Sequence, residues 1–146
     1  MSTNWCVDPS VLPAEPGAYI LCLDVTEPVQ LPPRRFGGVL AAGRYLYFGS
    51  ARGPGGIRAR CARHFRRSKN SHWHVDWLTG PATRIHAAPF PGFDECDLMA
   101  RALAVGGAPL AIAVAGFGST DCRRCAAHLV AVTGALPNDF LDALYQ

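Results

Sequence analysis

Glu95 is a carboxylate on what reads as the apolar side of a helix. Leu98, Met99 and Ala102 follow it at i+3, i+4 and i+7, a spacing that gathers side chains on one helix face. A carboxylate carried into such a face has to be paired, hydrogen-bonded or bound to a metal, because an isolated buried charge is costly. The competing reading is a first-turn acid that complements the helix dipole. Four residues could meet Glu95 at one spot: Tyr19 and Tyr47 on two predicted strands, and Arg60 and His64 four residues apart on the helix that follows. Two phenols, a guanidinium, an imidazole and a carboxylate make a set suited to charge stabilisation and proton transfer.

The basic residues are unevenly placed. Between Arg52 and Lys69 lie Arg52, Arg58, Arg60, Arg63, Arg66, Arg67 and Lys69, half of the 14 in the chain, with no acid among them. The remainder carries seven basic residues against 11 acids, a net of −4. A basic stretch on an otherwise acidic chain is an electrostatic footprint for a polyanion. Arginine dominates it, and the guanidinium fork matches phosphate oxygens. The alternative is a solvated helix face.

These residues need elements to hold them. Tyr19, Leu21, Leu23 and Val25 share one face of a strand over 18–25 by the two-residue period. A long proline- and glycine-bearing connection, 26–43, leads to an aromatic strand over 44–49, where Tyr45 and Tyr47 alternate with Leu46 and Phe48. A glycine-rich loop opens a helix over 57–67. There Ile57, Cys61 and Phe65 form the core seam, and Arg60, Arg63, His64 and Arg67 form an adjacent stripe at a cleft edge. A short helix over 72–78, a strand over 83–88 and a helix over 94–105 capped by Asp94 come next. A short strand over 109–115, a glycine-rich loop over 116–121, a helix over 122–132 and a last helix capped by Asn138 complete the reading. The expected fold is α/β (α+β): one domain with a small, mainly antiparallel, three-stranded sheet from 18–25, 44–49 and 83–88, flanked by helices.

Several runs resemble a known family. Gly17-Ala18-Tyr19 and Tyr47-Phe48-Gly49 are similar to the two halves of the GIY-YIG nuclease signature, with Ala18 and Phe48 as apolar replacements for isoleucine. Arg60 and His64 repeat that family's Arg-x-x-x-His pattern, and Glu95 matches its metal-binding glutamate in order and setting. Tyr47-Phe48-Gly49-Ser50-Ala51, Arg63-His64, His72-Trp73-His74-Val75-Asp76, Glu95-Cys96 and the run 116–122 resemble one compact branch, sometimes fused to endonuclease III-type glycosylases. The similarity spans about 17–129 of a single domain over 1–146. The link between the two tyrosines is longer than in many members. The family's downstream asparagine has no assigned counterpart, with Ser119 and Asp121 in its neighbourhood.

The resemblance implies one-metal hydrolysis of phosphodiester bonds in nucleic acid, DNA favoured, with DNA-repair partners. Tyr19 or Tyr47 would help deprotonate the attacking water. A free tyrosine has a pKa of about 10, so a tyrosine base needs positive charge beside it. Arg60 would supply that charge and hold the scissile phosphate, Glu95 would bind Mg²⁺ or Mn²⁺, and His64 would hydrogen-bond phosphate or shuttle a proton. Family members place a histidine near 72, which favours His72 over His74 as a site residue. Arg52, Arg58, Arg63, Arg66, Arg67 and Lys69 would contact the nucleic-acid backbone. Trp73 and Trp77 could stack on unpaired bases or pack as a core pair.

Six cysteines fit reduced thiols in a cytoplasmic chain, since Met1–Ser10 has neither a basic start nor an apolar core of a signal peptide. Cys122-x-x-Cys125-x-x-His128, with Cys96, could make a structural Zn²⁺ site; buried thiols and a redox pair are the alternatives. The longest apolar run near the C-terminal half, 110–115, is too short for a bilayer, so no membrane partner is expected. Two other functions compete: a non-catalytic nucleic-acid-binding module on the same scaffold, and a zinc or thiol protein built on Cys96, Cys122, Cys125 and His128.

Overall fold

The alternation in the first strand produces a sheet packed on both sides. The computed structural model describes residues 4–31, 38–66, 74–112, 117 and 127–146. Strand β1 (Gly17–Val25) pairs antiparallel with two others. Tyr19, Leu21, Leu23 and Val25 enter one core, and Ala18, Ile20 and Cys22 enter the other. Burial on both faces makes β1 a central strand with an almost unbroken apolar sequence.

After β1 the chain forms a short hairpin, β2 (Val29–Gln30) with β3 (Val39–Leu40), inside the connection expected to be irregular. Strand β4 (Gly43–Ala51) then returns along β1 with Tyr19 opposite Gly49 and Leu21 opposite Tyr47. Tyr19 and Tyr47 therefore occupy one face on adjacent strands, one diagonal step apart. Helix α1 (Gly56–Phe65) and helix α2 (Asp76–Thr79) cover that face. Strand β5 (Arg84–Pro91) pairs with the other side of β1.

Helix α3 (Glu95–Gly106) lies on the opposite face, and Asp94 caps it by accepting from the Cys96 and Asp97 amides at 2.8 and 3.1 Å. Leu98, Met99 and Ala102 are buried against Phe48 and Phe90, and each fully buried large side chain contributes about 1.5–3 kcal/mol. Strand β6 (Leu110–Ile112), strand β7 (Leu129–Val132) and helix α4 (Phe140–Ala143) complete the chain.

The sheet has five strands in the order β5-β1-β4-β7-β6, all antiparallel, two more than the sequence suggests. The added strands explain the difference. Leu129–Val132 was expected to end a helix but forms β7, wedged between β4 and β6. A four-residue apolar run has no periodicity to separate strand from helix, and here it satisfies the backbone of two neighbours. The rest of that expected helix, and the end of the expected strand over 109–115, lie outside the described residues. The last helix begins one residue later than expected, with Asp139 rather than Asn138 at its N-cap.

At the outer margin of β5, Ala87 exchanges two backbone hydrogen bonds with Cys6 at 2.7 and 2.8 Å. Pro89 and Pro91 share that outward phase and carry no N–H, and the Pro89 carbonyl accepts from the Tyr145 hydroxyl at 3.0 Å. Among the described residues, no helix is long and apolar enough to cross a membrane.

Candidate active site

Tyr19 is 1% exposed, and its ring lies over the backbone of Gly49 on the neighbouring strand. A Cβ at Gly49 would overlap the Tyr19 ring and hydroxyl, so the glycine that ends Tyr47-Phe48-Gly49 is a space requirement. Helix α1 then brings His64 down onto the same spot. Ile57, Cys61 and His64 recur at i, i+4 and i+7, and all three are fully buried. His64 therefore belongs to the core seam itself, whereas the sequence placed it in the stripe beside the seam.

The Tyr19 hydroxyl and His64 Nε2 share a buried hydrogen bond of 2.6 Å. The Tyr47 ring meets His64 edge-on, with centroids 6.2 Å apart. Burial raises the Tyr19 phenol well above its ordinary range, and Tyr47 and Cys61 add to that while Arg60 opposes it. Burial pushes Tyr47 up to about 12, again against the pull of Arg60, with Asp76 and Glu95 raising it further. Arg60 and Glu95 thus act electrostatically on the same phenol. Tyr19, Tyr47 and His64 thus meet between β1, β4 and α1, with Arg60 acting on both phenols and Glu95 on Tyr47.

Glu95 occupies the first turn of α3. Its Oε2 is buried and makes no hydrogen bond, and Arg52 Nη2 lies 3.7 Å from it. Arg52 also approaches Asp94 at 3.5 Å, and its side chain is 69% exposed, so this contact is loosely held. A buried carboxylate oxygen without a hydrogen-bond donor is suited to a hard divalent cation, which binds through one or two carboxylates and keeps several waters. Among the described residues, no group of three or more His, Cys, Asp or Glu side chains is placed to hold a metal.

The basic segment is partly used by the fold. Arg63 forms a two-pronged ion pair with Asp76, Nη1 to Oδ1 at 2.8 Å and Nη2 to Oδ2 at 2.9 Å, and Asp76 is completely buried at its side chain. Arg58 Nε donates to the Leu12 carbonyl at 2.7 Å. The start of α1 is occupied as well: the Ile57 amide donates to Glu15 O at 3.0 Å and the Arg58 amide to Pro13 O at 2.9 Å. Gly56 has φ +58 there and no room for a Cβ against the Ala14 and Glu15 carbonyls. Arg66 is exposed, while Arg67, Lys69, His72 and Trp73 lie outside the described residues. His74 packs edge-on against Phe117 at 5.5 Å, and Trp77 is exposed on α2.

Two of the four expected zinc ligands meet. Cys96 Sγ and His128 Nε2 are 3.6 Å apart in a buried position. Cys122 and Cys125, with Ser119 and Asp121, lie outside the described residues.

Sequence reasoning assigned no partner to Arg63 and did not connect Arg52 to Glu95. Both contacts are long-range, and nothing in their local spacing signals them. The Gly49 requirement was present in the Tyr47-Phe48-Gly49 run but not legible as a steric need. A family model describing a domain of unknown function, DUF123, matches residues 18–145. The chain belongs to this family. The match runs from β1 through α4 and so includes every site residue named above. No curated protein and no solved structure matches the chain.

Two expected outcomes follow for this DUF123 domain. Tyr19→Phe removes one member of a buried 2.6 Å hydrogen bond and leaves His64 Nε2 without that partner. It should cost about 1–3 kcal/mol, read as a lower urea midpoint at unchanged m-value. An unchanged midpoint would contradict the geometry. Alkaline stability is the second. Burial lifts Cys22 to about 11 and Cys61 to about 12, as it lifts Tyr47 to about 12. Each folded value lies above the unfolded one, so the protonated form is favoured in the folded state. Their contribution is intact below about pH 9 and is lost as pH climbs through 11 to 12. Thermal melts should fall over that window, less steeply in Tyr47→Phe than in the parent; equal slopes would argue against a buried phenol.

Proposed function

We propose that this protein is a metal-dependent endonuclease of the GIY-YIG type, hydrolysing phosphodiester bonds in nucleic acid, DNA favoured. The observation that carries the reading is the buried 2.6 Å hydrogen bond between Tyr19 and His64, with the Tyr47 ring edge-on to His64, Arg60 acting on both phenols and Glu95 acting on Tyr47. Their order in the chain is the one the signature requires.

In this mechanism a water oxygen attacks phosphorus, the bond to the leaving sugar oxygen breaks, and the water's proton departs toward a phenol. The two tyrosines divide the work. Tyr19 is enclosed and committed to His64, so its part is to fix the imidazole. Tyr47 is only half-buried and is the phenol able to meet water. Held at about 12, it is protonated throughout the neutral range and is not a resting phenolate. It accepts the water's proton as it passes its own to a phosphate oxygen, so the phenol stays neutral, and Arg60 stabilises the negative charge that builds on the phosphate. Glu95 would hold Mg²⁺ or Mn²⁺. Bound there, the cation would act as a Lewis acid and neutralise the leaving oxygen.

The test is a panel of labelled single-stranded, duplex and branched DNA and RNA, incubated with Mg²⁺ or Mn²⁺ under single-turnover conditions. Cleavage of at least one substrate that is lost in Tyr47→Phe and in EDTA supports the reading. Binding without cleavage across the panel would favour a non-catalytic module.

A further inference from the structure

We propose that Arg52 is a built-in counter-ion for Glu95, which compensates the empty carboxylate and lowers its affinity for a divalent cation. The inference rests on the reading of Glu95 as the cation ligand. Arg52 is the first residue after β4, the strand that carries Tyr47, and its guanidinium reaches the start of α3. Its Nη2 lies 3.5 Å from Asp94 Oδ2 and 3.7 Å from Glu95 Oε2, and its Nε donates to Ser50 Oγ at 3.2 Å.

Burial explains why positive charge is wanted there. Glu95 Oε2 is shut off from water and accepts no hydrogen bond, so its charge is under-compensated, and a guanidinium beside it offsets part of that cost. The contact is nevertheless not locked. Its distances are long beside the roughly 2.7–2.9 Å of a charge-assisted hydrogen bond, and the Arg52 side chain is 69% exposed. Arg63 shows the locked alternative, two prongs at 2.8 and 2.9 Å on a buried carboxylate. The contrast marks Arg52 as exchangeable.

A divalent cation at Glu95 brings a second positive group to the same carboxylate. Like charges this close repel, and more strongly where water is excluded. Arg52 and the cation therefore compete for Glu95. Withdrawing Arg52 into solvent costs little, because its side chain is already largely exposed. Its departure also leaves the α3 cap intact, since the Cys96 and Asp97 amides bond Asp94 Oδ1 while Arg52 approaches Oδ2.

The test is a titration of Mn²⁺ alone into the full-length protein at low ionic strength, with free Mn²⁺ read by electron paramagnetic resonance. No nucleic acid is present, so the readout is independent of cleavage. Arg52→Gln should bind Mn²⁺ on the order of tenfold more tightly than the parent, and about 1 M salt should shrink the gap. Arg52→Lys keeps the charge and should stay within about threefold of the parent. Arg84→Gln, which removes an exposed arginine at the start of β5, should match the parent. Glu95→Gln should lose the Mn²⁺ site and, with it, the effect of Arg52→Gln. An Arg52→Gln protein that binds Mn²⁺ no more tightly than the parent overturns the proposal, as does an equal gain in Arg84→Gln. If Glu95→Gln abolishes binding while Arg52→Gln matches the parent, the counter-ion role alone falls. If Glu95→Gln binds Mn²⁺ as the parent does, the reading of Glu95 as the ligand falls with it.

Discussion

Glu95→Ala is expected to reduce metal-dependent cleavage by on the order of 10²–10³-fold while leaving nucleic-acid affinity within about threefold. The asymmetry follows from where the carboxylate lies. Its Oε2 is buried with no hydrogen bond, so the substitution removes a potential cation ligand and little packing. Asp94 still caps α3 through the Cys96 and Asp97 amides, and the lost helix-dipole contribution is only about 0.3–1 kcal/mol. Arg52 keeps its contact with Asp94 at 3.5 Å, so the local basic charge stays in place. Fluorescence anisotropy would report binding, and single-turnover cleavage over a Mn²⁺ titration would report chemistry. Glu95→Gln separates charge from shape: it should fall as far as alanine. Undiminished cleavage in either variant, under metal-dependent conditions, would remove Glu95 from the reaction.

Asp76→Ala is the substitution with the largest expected effect on stability, about 3–5 kcal/mol. Asp76 is completely buried at its side chain and takes both prongs of Arg63 at 2.8 and 2.9 Å. Its loss leaves a guanidinium, 20% exposed at its side chain, without the carboxylate that compensates its desolvation. For a domain whose whole stability is on the order of 5–15 kcal/mol, that is a large share, and Tm should drop by roughly 10–16 °C. The double variant Arg63→Met with Asp76→Leu should recover most of the loss, because the cost comes from the stranded charge. If Asp76→Ala melts within about 2 °C of the parent, the pair is not the tie between α1 and α2 described here.

How far the sequence reached depended on the range of each interaction. β1 and β4 were readable because Tyr19, Leu21 and Leu23, then Tyr45 and Tyr47, alternate over nine-residue strands. The α3 cap was readable because Asp94 and its apolar face lie within one helix. β7 was not, since Leu129–Val132 takes its identity from β4 and β6 rather than from its own pattern. Arg63 shows the same limit at the site. Next to Arg60 and Arg66 it reads as part of a phosphate-binding stripe, yet a carboxylate 13 residues later holds it. His64 read as a cleft residue because an Arg-rich helix suggests a polar surface; its i+7 relation to Ile57 put it inside instead. That Tyr19 and Tyr47 share one face was legible in their alternation, whereas their difference in burial was not: Tyr19 is closed in at 1% exposure and Tyr47 is half-buried.

The rim of β5 has a consequence for behaviour at high concentration. A strand can recruit another molecule only by offering a row of amide donors and carbonyl acceptors. Here the arm around Cys6 occupies Ala87, two imino acids supply no donor, and a phenol takes the Pro89 oxygen. Between Ala87 and Pro91 that border is closed to templated self-association, so crowding does not extend the sheet from one copy to the next along it.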